Sequence, residues 1–139
     1  MADQEIRIVP GNPADFSPGD LEDLATALRG EFPDSSVVIV AQPMTGYGVT
    51  FWEVLNIFVS WPSVPHDVLV AGVSVVAARA LGMARRRLKK SPLRPKYVGI
   101  YGPDGGILKA VRVEASGEEI DMTEEQRAQA ARTKEIMES

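Results

Sequence analysis

Cysteine is absent from the chain. That absence removes disulfides, thiolate nucleophiles, iron–sulfur clusters and the common structural zinc sites. It is compatible with a reducing compartment, and the cytoplasm is the expected location. Histidine is almost absent. His66 stands alone, followed by Asp67, with no second ligand or nucleophile at a recognisable spacing. Capping and solvent exposure at a helix start explain the pair. The opening stretch MADQEIRIVPGNPADF has neither a basic start nor an apolar run, so it does not read as a signal peptide. The longest nearly apolar run, Val68 to Ala84, holds about seventeen residues and contains Arg79, whereas a membrane span needs roughly twenty. A buried helix is the expectation there, not an integral span. No two carboxylates can be placed in contrasting environments around one pocket, as acid–base chemistry would need. No cofactor or metal motif stands out, and there is no internal repeat.

What is present describes one globular domain. A chain of 139 residues buries a core without staples, and one domain is the default at this length. Residues 1–115 read as an α+β domain, and residues 116–139 as a polar C-terminal tail, partly helical or disordered. The net charge of −4 hides an asymmetry. Seven of the fifteen Lys and Arg lie between Arg85 and Lys96, namely Arg85, Arg86, Arg87, Lys89, Lys90, Arg94 and Lys96. Charge polarity of this kind bears on partners rather than on fold.

In chain order, Glu5 to Val9 alternates with period two and reads as a strand. Ser17 as N-cap, Pro18 at the first helical position and Asp20 in the first turn start a helix. Leu21, Leu24, Ala25 and Leu28 form its buried stripe, and Gly30 marks its end. Ser36 to Ala41 is a short β-branched run, as expected of a central strand buried on both faces. The Thr45-Gly46-Tyr47-Gly48 loop lacks the third glycine and the Lys-Ser or Lys-Thr of a phosphate loop, and reads as a flexible turn.

Thr50 to Trp61 is rich in Phe, Val, Ile and Trp, yet its polar residues Thr50, Glu53, Asn56 and Ser60 are spaced three, three and four. That spacing lines one stripe of a helix, and Thr50 with Glu53 matches a capping box. A mostly apolar helix is expected, with Glu53 and Asn56 on its solvent stripe. Pro62 and Pro65 bracket a corner, and Ser63 caps a second helix from Val64 to about Lys90. Its Ser74, Ala78 and Gly82 repeat at a spacing that permits close packing. Lys96 to Tyr101 and Ile107 to Val113 read as a β-hairpin around Gly102-Pro103-Asp104-Gly105-Gly106. Thr123 to Met137 is polar and helix-prone. The expected fold is thus α+β, in the order β-α-β-α-α-β-β, a four-stranded mixed sheet with helices packed on it and a helical tail.

The segment KYVGIYGPDGGILKAVRV, following a basic-ended apolar helix, resembles small uncharacterised actinobacterial proteins and helper domains found beside bacterial conflict systems. The resemblance spans roughly Phe51 to Val113 and is one of pattern, so no functional residue carries over. It implies a bacterial protein with an adaptor or interaction role.

Three functions follow as expectations. The first is a soluble, non-enzymatic adaptor that self-associates or meets a protein partner through its apolar helices, with Phe51, Trp52, Phe58 and Trp61 at the interface. The second is an anion-binding module that meets nucleic acid or acidic lipid through Arg85–Lys96, with Tyr97 and Tyr101 as stacking surfaces. The third is a small-ligand enzyme built on Gly46, Gly48, Glu53 and His66.

Overall fold

The computed structural model describes residues 4–11, 16–40, 53–62, 64–90, 95–103 and 105–138. Its elements are β1 (Glu5–Pro10), α1 (Pro18–Glu31), β2 (Ser36–Ile39), β3 (Glu53–Ser60), α2 (His66–Lys90), β4 (Lys96–Tyr101), β5 (Ile107–Val113), β6 (Glu119–Asp121) and α3 (Thr123–Glu138). The class is α+β. Among the described residues one six-stranded mixed sheet runs in the order β2-β1-β3-β4-β5-β6.

The local signals at α1 act as expected. The Asp20 N–H donates to the Ser17 hydroxyl at 3.2 Å, Pro18 takes the first turn, and Leu21, Leu24, Ala25 and Leu28 are buried. The helix runs one residue past Gly30, to Glu31. The β4–β5 hairpin also forms as read. Gly105 at its turn has a φ of +81°, a conformation glycine adopts without a Cβ penalty.

Two readings are corrected. The segment expected to be a helix from Thr50 to Trp61 contains β3, a strand in the middle of the sheet. Leu55, Ile57 and Val59 point into the core, while Val54, Asn56, Phe58 and Ser60 take the other face. The helical reading took every polar residue as solvent-facing. Glu53 is instead fully buried, so the residues that needed burial alternate with period two. Thr50 lies outside the described residues. The second correction is β2, which is an edge strand, not a central one. Only Val37 is buried, and Val38 is 38 % exposed. The sheet has two strands more than the four expected: β3, and the short β6 that pairs with β5.

Two βαβ units share the sheet. β1 and β2 are parallel, β3 and β4 are parallel, and β1 meets β3 antiparallel in the middle. Two right-handed crossovers that step outward in opposite directions from such a centre place both helices on one face. α1 and α2 do share one core there. Ile6, Ile8, Leu55, Ile57, Val98 and Ile100 of the sheet pack against Leu24 and Leu28 of α1 and Val76, Ala80 and Met83 of α2. Ala78 and Gly82 lie beside α1 across a shallow groove shared with Leu24 and Ala27, while Ser74 is exposed.

The second face is covered at one side only. Tyr97, Ala110 and Met122 form a small cluster there with Val54, Ile107 and Ile120. Thr123 ties α3 down, since its hydroxyl accepts the Ala110 N–H at 3.0 Å. Arg127 Nε donates to the Ile107 carbonyl at 2.8 Å. Beyond Arg127 every described side chain of α3 through Met137 is exposed.

Candidate interaction surface and buried ion cluster

Register places the one acid that is fully buried among the described residues. Glu53 opens β3 directly beside Lys96, which opens β4. Both side chains are wholly buried, and Lys96 Nζ donates to Glu53 Oε1 at 2.5 Å. The second oxygen, Oε2, accepts the Phe16 backbone N–H at 2.8 Å and Arg87 Nε at 3.2 Å. Phe16 presents that N–H from a φ of +63°. Burial alone would push the Glu53 carboxyl up. The Lys96 hydrogen bond, the Phe16 N–H and the Lys96 and Arg87 charges outweigh burial and hold it below its ordinary value. With both oxygens occupied, Glu53 works as a clamp that ties β3 to three other chain segments.

This cluster redistributes the basic run. Arg87 and Lys96 are turned inward to Glu53, and Arg85 pairs with Glu119 of β6, its Nε at 2.6 Å. Arg86 and Lys89 are exposed and, among the described residues, make no ion pair. Lys90 ends α2, and Arg94 lies outside the described residues. The seven cations therefore do not form one continuous surface. Lys96 in particular is sealed from any polyanion. Tyr97 is buried and its hydroxyl is pushed up to about 12, by burial first and then by Tyr101, so it offers no stacking surface. Tyr101 is already stacked on Phe58, with ring centroids 5.1 Å apart and 22° between planes.

The expected interface residues separate as well. Phe51 and Trp52 lie outside the described residues, as do Gly46 and Gly48. Trp61 belongs to the core. It lies against Phe32 at 5.1 Å and so close to Gly72 that a Cβ there would sit 2.3 Å from the indole Cζ3. His66 is exposed at the start of α2. Glu53 stands at the opposite end of β3, and that strand's length, about 25 Å for its eight residues, keeps the two out of one site. Among the described residues no cluster of three or more His, Asp and Glu is placed to hold a metal ion.

Of the two expected interface residues that are described, Phe58 is on the surface, and it marks a patch the sequence reading missed. Met122 and α3 cover the β4–β5 side of the second face. The β2-β1-β3 side is open among the described residues. Val38, Val40 and Phe58 are exposed there to 38 %, 37 % and 37 %. Arg7 and Glu5 of β1 project from the same face and are ion-paired to each other. A depression of about 620 Å³ follows this face past Val9, Val40 and Phe58 to the Gly102–Gly105 turn. The alternation Glu5, Arg7, Val9 carried a signal for it, with Ile6 and Ile8 pointing the other way. A smaller apolar groove of about 290 Å³ lies on the helical side, between Phe32, Trp61 and the α2 residues Val68 and Val75. By length and composition α2 is apolar enough to cross a membrane, and 44 % of that stretch is buried inside the fold.

No protein-family model matches the chain, and a search of curated proteins finds no match either.

Proposed function

We propose that this chain is a non-enzymatic interaction module that associates with itself. The observation that carries this reading is the half-covered second face of the sheet. Three large apolar side chains, Val38 on β2, Val40 just past it and Phe58 on β3, are exposed on the face opposite the core, on either side of the β1 residue Arg7. Several large apolar side chains exposed on one face of a small domain mark an interaction site more often than isolated apolar residues do. The expected contact through apolar helices moves accordingly, because Phe58 lies on a strand and Trp61 is internal. Val68 and Val70, both exposed near the start of α2, are what remains of a helical contact. The test is light scattering over a concentration series at low and high salt. The expected result is a mass that rises toward twice that of the monomer and survives high salt. A constant monomer mass at the highest soluble concentration would refute the proposal.

A second reading rests on Arg86 and Lys89, the exposed cations near the end of α2 that make no ion pair among the described residues. They are suited to contacting phosphate groups of a nucleic acid or an acidic lipid surface. Such binding weakens steeply with salt. Titration of a fluorescent single-stranded DNA and of acidic vesicles at two salt concentrations tests it. Saturable binding lost on Arg86→Ala/Lys89→Ala is expected, and equal binding by the variant rules it out.

A further inference from the structure

We infer that the partner on the open sheet face is a second copy of this chain, docked face to face about a two-fold axis that pairs Arg7 of each copy with Glu5 of the other. The inference rests on the self-association reading and specifies its surface. A two-fold interface uses one patch twice, so the patch must complement itself in charge and shape. The β2-β1-β3 face meets the condition on charge. Among the described residues its charges are one acid and one base, Glu5 and Arg7, two residues apart on the same face of β1. Around them the patch is apolar or uncharged: Val38 on β2, Val40 just beyond it, and Phe58 and Ser60 on β3.

A two-fold axis lying between the two sheets, crossing β1 at the level of Ile6, sets Arg7 against the second copy's Glu5 on both sides of the axis. β3 then faces β3, and the two Phe58 side chains fall one pleat apart, about 7 Å along the strand. A partner of one net charge would leave one member of the Glu5–Arg7 pair facing its own sign. A second copy does not. Three strands at about 4.8 Å spacing make a small face, which belongs with the weaker, reversible class of association rather than with obligate dimers.

Charge exchange provides the test. Arg7→Glu and Glu5→Arg are made as separate single variants in the full chain, with circular dichroism to show that each folds. Both side chains are on the surface, so neither change disturbs the core. In Arg7→Glu the interface holds only acids, and in Glu5→Arg only bases. Each variant alone is expected to associate at least about tenfold more weakly than the parent chain, because two like-charge pairs replace two opposite ones. Mixed in equal amounts, they are expected to form a heterodimer, since each acid then meets a base. Light scattering of the mixture, with one variant carrying a fluorescent label, reads the outcome. Single variants that associate as strongly as the parent would overturn this geometry while leaving self-association standing. Weak singles whose mixture also stays monomeric would overturn it too. A parent chain that never associates would remove both this inference and the reading it rests on.

Discussion

At the scale of single residues, Glu53 and Lys96 matter most. Removing one member of a buried ion pair costs about 3–5 kcal/mol where the other's charge loses its compensation, whereas replacing both by apolar groups of similar size is often neutral or better. Glu53→Gln takes a charged acceptor from Lys96, Arg87 and the Phe16 N–H at once and is expected to lower the urea midpoint sharply, and Glu53→Leu combined with Lys96→Met to recover only part of the loss, since Arg87 and the Phe16 N–H still lose theirs. A double-mutant cycle by equilibrium unfolding measures both; equal effects of the single and double changes would contradict the clamp described above.

The pH dependence follows from the same group. Glu53 is held below its ordinary value of 4.5 in the folded chain. A lowered folded value means that the stabilisation is complete above the unfolded value. It is lost as pH falls from near 4.5 through the lower folded value. Stability of the parent chain should thus fall on acidification through this window, and the doubly apolar variant should show a shallower fall. The sequence alone concealed this pair. A glutamate in an apolar run signals a missing partner, but the partner lies 43 residues away, and no local pattern spans that distance.

At the scale of elements, α2 offers a contrast within one helix. Gly72 faces the Trp61 indole so closely that a Cβ would sit 2.3 Å from it, and Trp61 is held in the core. Gly82 has nothing within 4 Å of its would-be Cβ. Gly72→Ala is expected to destabilise by about 1–3 kcal/mol through overpacking. Gly82→Ala should stabilise by up to about 1 kcal/mol through helix propensity. Chemical denaturation of the two variants gives the signs. α3 yields a different expectation. Because its described side chains beyond Arg127 are exposed, ending the chain after Arg127 should shift the melting temperature by only a few degrees, on the order of 1 kcal/mol or less.

Legibility also varied by element. α1 was readable because Ser17, Pro18 and the Leu21–Leu28 stripe act within a few residues of one another. The hairpin was readable because its turn is encoded where it occurs. β3 was not, since its helical spacing of polar residues was accidental. The β propensity of its Val, Ile and Phe agreed with what the sheet required. β2 carried the composition of a buried strand, but composition does not record a position at the edge.

At the scale of the whole molecule, the asymmetry of the two sheet faces was legible only in the alternation of Glu5 to Val9. It depends on strand order and on where α3 crosses. With two βαβ units fixing both long helices on one side, the other side depends on Met122 and the first turn of α3 for cover, and these reach only part of it. Phe58→Asp is expected to abolish the concentration-dependent rise in mass while leaving the melting temperature within a few degrees of the parent. Phe58 is more than a third exposed and outside the helix-side core, so beyond the Tyr101 stack the change acts on surface complementarity. Unchanged association by Phe58→Asp would move the interface to the Val68–Val70 surface of α2.

The Glu53 clamp has one further consequence, for the chain's history. It gathers contacts from Phe16, Arg87 and Lys96, contributed by parts of the sequence far apart. A lineage that exchanges Glu53 takes the shared acceptor from all three at once, whereas one that exchanges Lys96 leaves Glu53 with Arg87 and the Phe16 N–H. A descendant that has lost Glu53 is therefore expected to have changed Lys96 as well, while Glu53 can outlast Lys96.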